Sequence, residues 1–453
     1  MAPTFARSRA SFQSINDKMA QVKTECWQQT APDFAEPRAG RRVEASAGGG
    51  GVNWERAKLK YVTRFAYGDA FWADEIQDGP IQVFGSNGPY ASISHANTRG
   101  PAIIVGRKGS YGKVNWSAGP CFASDTTFFI DSSTTQHHLR WVFWLLQTLR
   151  LDEGSNETAI PGLNRDAAYA MEVAVPPQQH QRAIADYLDR ETAQIDALVA
   201  AKDRLLVLLA EKRRALITAA VTRGLDPSAR LRDSGVVWLG QVPAHWKIAG
   251  FTKYLRSLVD YRGRTPEKVS SGVFLVTARN IKDGYIDYEA SQEFVDADAY
   301  DEVMQRGKPE IGDLLLTTEA PLGQAALVDR EDIALAQRVI KLDYDPEVLL
   351  NEFALAWIRS APFQWQLNSF ATGSTALGIK GERLHMLHNL LPPVDEQRAI
   401  VAHIAAETAR LDALAAAAAR SIALLKERRA ALIAAAVTGQ IEIQVDVDTK
   451  ATN

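Results

Sequence analysis

Apolar residues recur at every third or fourth position over two long stretches of this chain. In the first, Ile184, Leu188, Ile195, Leu198, Leu205, Leu209 and Leu216 keep that spacing; in the second, Ile400, Ile404, Leu411, Leu414, Leu425 and Leu432 keep it. This period gathers the apolar groups on one side of an α-helix. A double proline precedes each stretch (Pro176–Pro177, Pro392–Pro393), where its fixed φ suits a helix start and blocks continuation from upstream. No glycine or proline interrupts either run before Gly224 and Gly439. The pattern predicts two rods, over 179–222 and 395–438, of roughly 40 residues or ~60 Å each. An apolar seam of that length needs a partner. The other rod is the nearest one, and docking of each rod on its own globular neighbour is the alternative.

The two stretches are also copies of each other. Val175–Thr222 aligns with Leu391–Thr438 at a constant shift of 216 positions, without a gap and with 26 identities in 48 positions. The identical pairs include polar ones: Gln181/Gln397, Arg182/Arg398, Glu191/Glu407, Asp196/Asp412, Glu211/Glu427 and Arg213/Arg429. Shared amphipathicity alone does not preserve such a set, so the chain carries an internal duplication. The parallel continues upstream. Trp54 and Trp246 each head a block, and PAIIVGRKGSYGKV (101–114) answers GDLLLTTEAPLGQAAL (312–327) as strand, turn and glycine. AIPGLNRD (159–166) stands where TALGIKGE (375–382) stands.

Inside the blocks, β-branched and aromatic runs bounded by glycine read as strands: IQVFG, PAIIVG, DTTFFI, GVFLVTA and GDLLLTT. Helices are expected at Leu139–Leu149 and Pro346–Trp357. The fold class is therefore mixed α/β (α+β), ordered as domain, rod, domain, rod. Residues 1–51, rich in Ala, Arg and Gly with a Gly48–Gly51 run, read as a flexible extension. The first domain spans 52–178, the linker 223–245, the second domain 246–394 and the tail 439–453. Alternating Ile441, Ile443, Val445 and Val447 suggest one short strand in that tail.

Composition narrows the function. The chain has 453 residues, 46% of them hydrophobic and 23% charged, ordinary values for a protein with more than one core. The apolar run Trp141–Leu146 falls far short of the ~20 residues that cross a bilayer. With two cysteines, Cys26 and Cys121, a disulfide framework and a four-cysteine zinc site are excluded. The N-terminus lacks a secretory-type apolar segment, which predicts a cytoplasmic address. Net charge is −3. The first block holds 11 basic and 12 acidic residues over 52–178, the second 16 and 22 over 241–395, so bulk charge gives no affinity for nucleic acid.

No catalytic constellation emerges. NGPY (87–90) is only similar to the Asn-Pro-Pro-Tyr motif of amino-methyltransferases, with Gly88 in place of the first proline and no cofactor loop upstream. GRKGSYGK (106–113) has the wrong order for a phosphate-binding P-loop. His137–His138 reads as an exposed pair at a helix start, without metal-ligand spacing. Binding is better supported. Arg107, Lys108 and Lys113, with Ser110 and Tyr111, surround glycines after a strand, and such cations and hydroxyls can meet phosphates. In the second block TARNIKDG offers Arg279, Asn280 and Lys282, and ATGSTALGIK offers Thr372, Ser374, Thr375 and Lys380. Arg and Asn side chains have the geometry to read guanine and adenine edges. A solvated basic hairpin is the plain alternative.

These residues resemble the specificity (S) subunits of type I restriction–modification systems. FGSNG (84–88, with Asn87), GPAIIVGRKGSYGKV (100–114) and SDTTFFI (124–130) are similar to that family's target-recognition signatures. RGLDPSARLRDSGVVWLGQVPAHW (223–246) resembles its linker, and VPPQQHQRAIADYLD and LPPVDEQRAIVAHI its central helices. TTEAPLGQ (317–324) departs from the pattern by lacking a basic pair like Arg107–Lys108. The resemblance implies two target-recognition domains joined by two long antiparallel helices with pseudo-twofold symmetry. It implies double-stranded DNA as ligand, a split asymmetric target, and no catalysis by this chain. Two methyltransferase and two restriction/translocase subunits would be partners, carrying S-adenosylmethionine, ATP and magnesium. A coiled-coil adaptor binding protein or RNA is the alternative.

Overall fold

The structure, a computed structural model, describes residues 54–70, 79–152, 162–263, 266–373 and 377–444. The extension expected over 1–51 lies outside these residues, as does most of the tail; the described part of the tail after Gln440 forms no strand.

Two helices dominate: a first rod, Gln178–Arg223, of 46 residues and a second, Val394–Val437, of 44. At ~1.5 Å per residue they are ~69 and ~66 Å long. Pro177 and Pro393 cap their starts. The rods lie against each other and run antiparallel. Arg213 of the first is ion-paired with Asp412 of the second, and Arg429 of the second with Asp196 of the first at 2.8 Å. These are two of the identical pairs of the duplication, so each copy supplies the partner of the other.

The seam differs in detail from the expected one. Ile184, Leu188, Ile195, Ile400, Ile404 and Leu411 are buried. Leu198, Leu205 and Leu414 are 52, 43 and 57% exposed. The covered line continues instead through Val199, Lys202, Leu206, Leu209 and Arg213, and through Ala415, Ala418, Ile422, Leu425 and Arg429. That alternation of four- and three-residue steps is a heptad seam, and a two-helix pair buries only one such stripe. Leu198, Leu205 and Leu414 belong to a second apolar stripe that the pair leaves outside.

The mid-rod ion pairs are part-exposed, so each is worth about 1 kcal/mol or less. Reversing Arg429→Asp will cost roughly that much in urea melts. Adding Asp196→Arg will restore most of the loss; a double mutant no more stable than Arg429→Asp alone would show that the pair does not hold the rods.

Each domain repeats one plan. In the first, strands Ala66–Tyr67, Thr127–Ile130, Ala102–Gly106 and Val114–Ser117 form a four-stranded sheet. A three-stranded sheet holds Gly88–Ile93, Ile81–Gly85 and Phe122–Ala123, with Ile81–Gly85 parallel to the last. In the second domain, Leu255–Asp260, Val339–Tyr344, Leu314–Thr317 and Ala325–Leu327 make the four-stranded sheet. Phe294–Val295, Val273–Val276 and Ile333–Leu335 make the other, with the same parallel pair. A two-stranded ribbon closes each base, Glu55–Lys58 with Glu172–Val175 and Lys247–Gly250 with His388–Leu391.

Helix Leu139–Thr148 lies on the first four-stranded sheet, and its Trp141–Leu146 run is buried throughout. That burial accounts for the run's continuous hydrophobicity: it is a core helix, not half of a membrane span. Asn351–Ile358 fills the same place in the second domain. The second domain adds a helix, Ala361–Phe370, capped by Ser360. Among the described residues no helix is long and apolar enough to cross a membrane.

The rods exchange ends. Ile217, Ala220 and Val221, near the end of the first rod, sit in the core of the second domain with Trp246, Leu349 and Phe353. Ile433, Ala436 and Val437, near the end of the second rod, sit in the core of the first domain with Leu59 and Trp141. Domain, rod, domain and rod thus close into a ring. The linker docks at the second junction, where the Glu396 carboxylate accepts the Trp246 indole N–H at 3.1 Å and hydrogen-bonds His245 at 2.8 Å.

Candidate nucleic-acid interface

The sequence-predicted binding residues of the first domain gather on one hairpin and its neighbours. Strands Ala102–Gly106 and Val114–Ser117 are joined by a loop closed by Gly106 N–H to Lys113 O and Gly112 N–H to Gly106 O, both 2.9 Å. Its glycines have different roles. Gly109, at φ +71°, faces open space. A Cβ on Gly112 would meet the Leu151 carbonyl at 2.5 Å, so this glycine serves packing within the domain.

Lys108 and Ser110 are exposed at the tip and Tyr111 is half-buried beside them. Lys113 reaches across to the turn of the next hairpin, donating to Asn87 Oδ1 at 2.7 Å and Asn87 O at 3.1 Å. Arg107 turns back onto its own domain. Its guanidinium lies 5.3 Å from the Tyr67 ring and donates to Asp125 O at 2.8 Å. Arg165, the first residue of the short helix Arg165–Ala170, lies 5.2 Å from the same ring, so Tyr67, half-exposed, carries one cation from the loop and one from that helix. Partial burial, with the charge of Asp125, pushes the Tyr90 phenol up against the opposing hydrogen bond with Ser124.

The second domain builds the same scaffold from different side chains. Arg107 N–H to Thr126 O (2.9 Å) is matched by Thr318 N–H to Arg338 O (3.0 Å). Leu163 N–H to Arg107 O is matched by Ile379 N–H to Thr318 O, both 2.9 Å, and the Lys108–Gly162 bridge by Glu319–Gly378. Thr318, Glu319 and Gln324 therefore occupy the places of Arg107, Lys108 and Lys113. One cation reaches this tip from elsewhere: Arg338, at the place of Thr126, is ion-paired with Glu319 at 2.7 Å. Arg338 lines a depression of about 240 Å³ with Lys268, Thr277, Arg279, Ala320 and Gln337.

The candidates of this domain divide. Arg279 is exposed and lines the depression. Thr372 is exposed on a small hairpin paired with Gly378, which places it and the exposed Lys380 beside the Glu319 loop. Lys282 is half-buried in the Ile281–Ile286 hairpin and does not line the depression. Ser374 and Thr375 lie outside the described residues.

Asn280 requires correction. It is 0% exposed, its Oδ1 accepts from Thr277 N–H and hydroxyl, and its Nδ2 donates to Asp287 O and Ser291 O. The amide is fully occupied in holding the loop, so it presents nothing to a base edge. His137 and His138 are corrected too, being half-buried in the joint between the first domain and its rod rather than an exposed pair. Among the described residues no cluster of His, Cys, Asp and Glu could hold a metal ion.

Sequence reasoning missed Tyr67, Arg165, Lys268, Gln337 and Arg338. Arg165 lies inside the repeated AIPGLNRD segment, a signal that was present; Arg338 gains its place only through the strand pairing that brings it to Glu319.

Two mixed α/β domains with one tip scaffold and two sets of polar side chains, held apart on a closed helical frame, define a class of internally duplicated two-domain protein. Residues 51–205 match the type I restriction modification DNA specificity domain. The chain is similar to the EcoBI specificity subunit of Escherichia coli, at 22% identity over 357 residues that cover 76% of this chain and 74% of that one. It is also similar to the EcoKI specificity subunit of Escherichia coli K12, at 22% identity over 60% of this chain and 58% of the relative. A solved chain of a type I R-M system shares the fold, with a TM-score of 0.57 at 16% identity, over 85% of this chain and 98% of that one. The resemblance to specificity subunits read from the motifs holds, and so does the fold it implied.

Proposed function

We propose that this chain is the non-catalytic DNA-recognition subunit of a type I restriction–modification complex. Each domain reads one half of a bipartite, asymmetric site with its tip, and the rods set the separation. One observation carries this reading: the same hydrogen-bonded tip scaffold is displayed twice on a closed frame, with a Lys108–Lys113–Asn87 surface on one and an Arg279–Arg338–Glu319 surface on the other. Identical frames with different polar groups suit unlike half-sites. The rods would dock two methyltransferase subunits, and two restriction/translocase subunits would join these. S-adenosylmethionine, ATP and magnesium belong to the partners. A cytoplasmic location goes with this reading.

Methylome sequencing of cells carrying the chain with its cognate methyltransferase tests it. A single bipartite motif that depends on the chain is expected; none in a competent system would sink the proposal. The role of the first tip has its own test. Lys108→Ala with Lys113→Ala will weaken duplex binding, and the slope of log affinity against log salt will flatten by about 0.9 for each phosphate no longer neutralised. An unchanged slope would return both lysines to the plain solvated hairpin. Arg107 is a poorer probe, because its removal also strips the Tyr67 ring.

A further inference from the structure

A glutamine stands at the fourth position of both rods, Gln181 and Gln397, and both are buried, 1 and 0% exposed. Gln181 Oε1 accepts the His138 N–H at 2.8 Å, while its Nε2 donates to Pro176 O at 2.8 Å and meets His137 Nδ1 at 2.9 Å. Gln397 repeats the arrangement. Its Oε1 accepts the Leu350 N–H at 2.9 Å, and its Nε2 donates to Pro392 O and Val348 O, both at 2.8 Å. His138 and Leu350 are the residues immediately before the core helices Leu139–Thr148 and Asn351–Ile358. Each amide thus ties together the end of its domain's last strand, the start of the domain's core helix and the first turn of the rod. Only a primary amide supplies one acceptor and two donors from a single group, and asparagine is a methylene short.

We infer that Gln181 and Gln397 are positioning residues that fix the angle between each reader and its rod, and thereby the number of base pairs allowed between half-sites. The inference rests on the DNA-recognition reading. One base-pair step is about 3.4 Å along the duplex and about 34° around it. At the end of a rod of ~69 Å, a swing of about 3° displaces the far tip by one step. Each rod start is already packed in its domain's core, through Ile184 and Leu188 or through Ile400 and Ile404; apolar packing is non-directional, and the amide adds three directional bonds that resist such a swing. Both joints carry the same clamp, so neither reader is left loose.

The test uses the chain assembled with its methyltransferase subunits and duplexes whose half-sites are at the native separation or one or two base pairs off it. The native assembly is expected to favour the native spacing by about tenfold or more, the scale of one mismatched base pair. Gln181→Met and Gln397→Met will reduce that preference to about threefold or less while methylation at the native spacing stays within about threefold. Gln181→Asn and Gln397→Asn serve where the methionine variants do not assemble, and Ile103→Val, a core change of the first domain, controls for lost stability. Clamp variants that keep the native preference, or that lose methylation equally at every spacing, would overturn the inference alone. An unaltered assembly that methylates no duplex of any spacing would overturn the function and the inference together.

Discussion

Val221→Asp will unseat the first rod from the second domain and abolish methylation at any bipartite site. Val221 is 0% exposed and packed among Trp246, Leu349 and Phe353. A carboxylate there would stand inside an apolar cluster, and an uncompensated buried charge costs about 3–5 kcal/mol. Domain stabilities are commonly ~5–15 kcal/mol, so the second domain loses a large share of its own. Urea unfolding of the purified chain measures the loss, and Val437→Asp at the opposite junction should behave alike. A melt within ~1 kcal/mol of the parent would mean that the exchanged rod ends do not hold the frame.

Asp313→Ala will be nearly as damaging, for an electrostatic reason. Lys341 Nζ lies 2.7 Å from Asp313 Oδ2, and both side chains are about 7% exposed. Asp313 also accepts the Glu310 N–H at 2.8 Å. Removing the carboxylate strands a buried ammonium, at a cost of about 3–5 kcal/mol. Pairing the change with Lys341→Met removes the stranded charge and should recover most of the loss, since apolar replacements of a buried pair are often neutral. Thermal melts of the two single variants and the double give the coupling. A double variant as unstable as Asp313→Ala alone would show that packing, not charge, is what the pair contributes.

The rods were legible because a 3.6-residue period and a gapless repeat are properties of sequence alone. Their seam was legible only in part. The chain carries two apolar stripes, and which one faces the partner depends on the crossing of the helices, so periodicity alone puts Leu198, Leu205 and Leu414 on a seam that the structure leaves without them. The strands around Val105 and Leu315 showed through because buried strands in the middle of a sheet are apolar without a break. Tip chemistry was the least legible. Asn280 has the composition of a reading residue and the surroundings of a loop brace, and only its four hydrogen bonds distinguish them. Arg338 sits in an apolar stretch without any local mark and becomes part of the second tip through its pairing with Glu319.

The exchanged rod ends also order events in time. Ile433, Ala436 and Val437 complete the core of the domain that leaves the ribosome first. At ~5–20 residues per second, that early half waits on the order of ten seconds or more for its final helix. Meanwhile Trp141 and its neighbours lack part of their cover, and Ile195 lacks the opposite helix. Nascent chains stalled before the last helix should therefore be the form that chaperones hold and proteases cut.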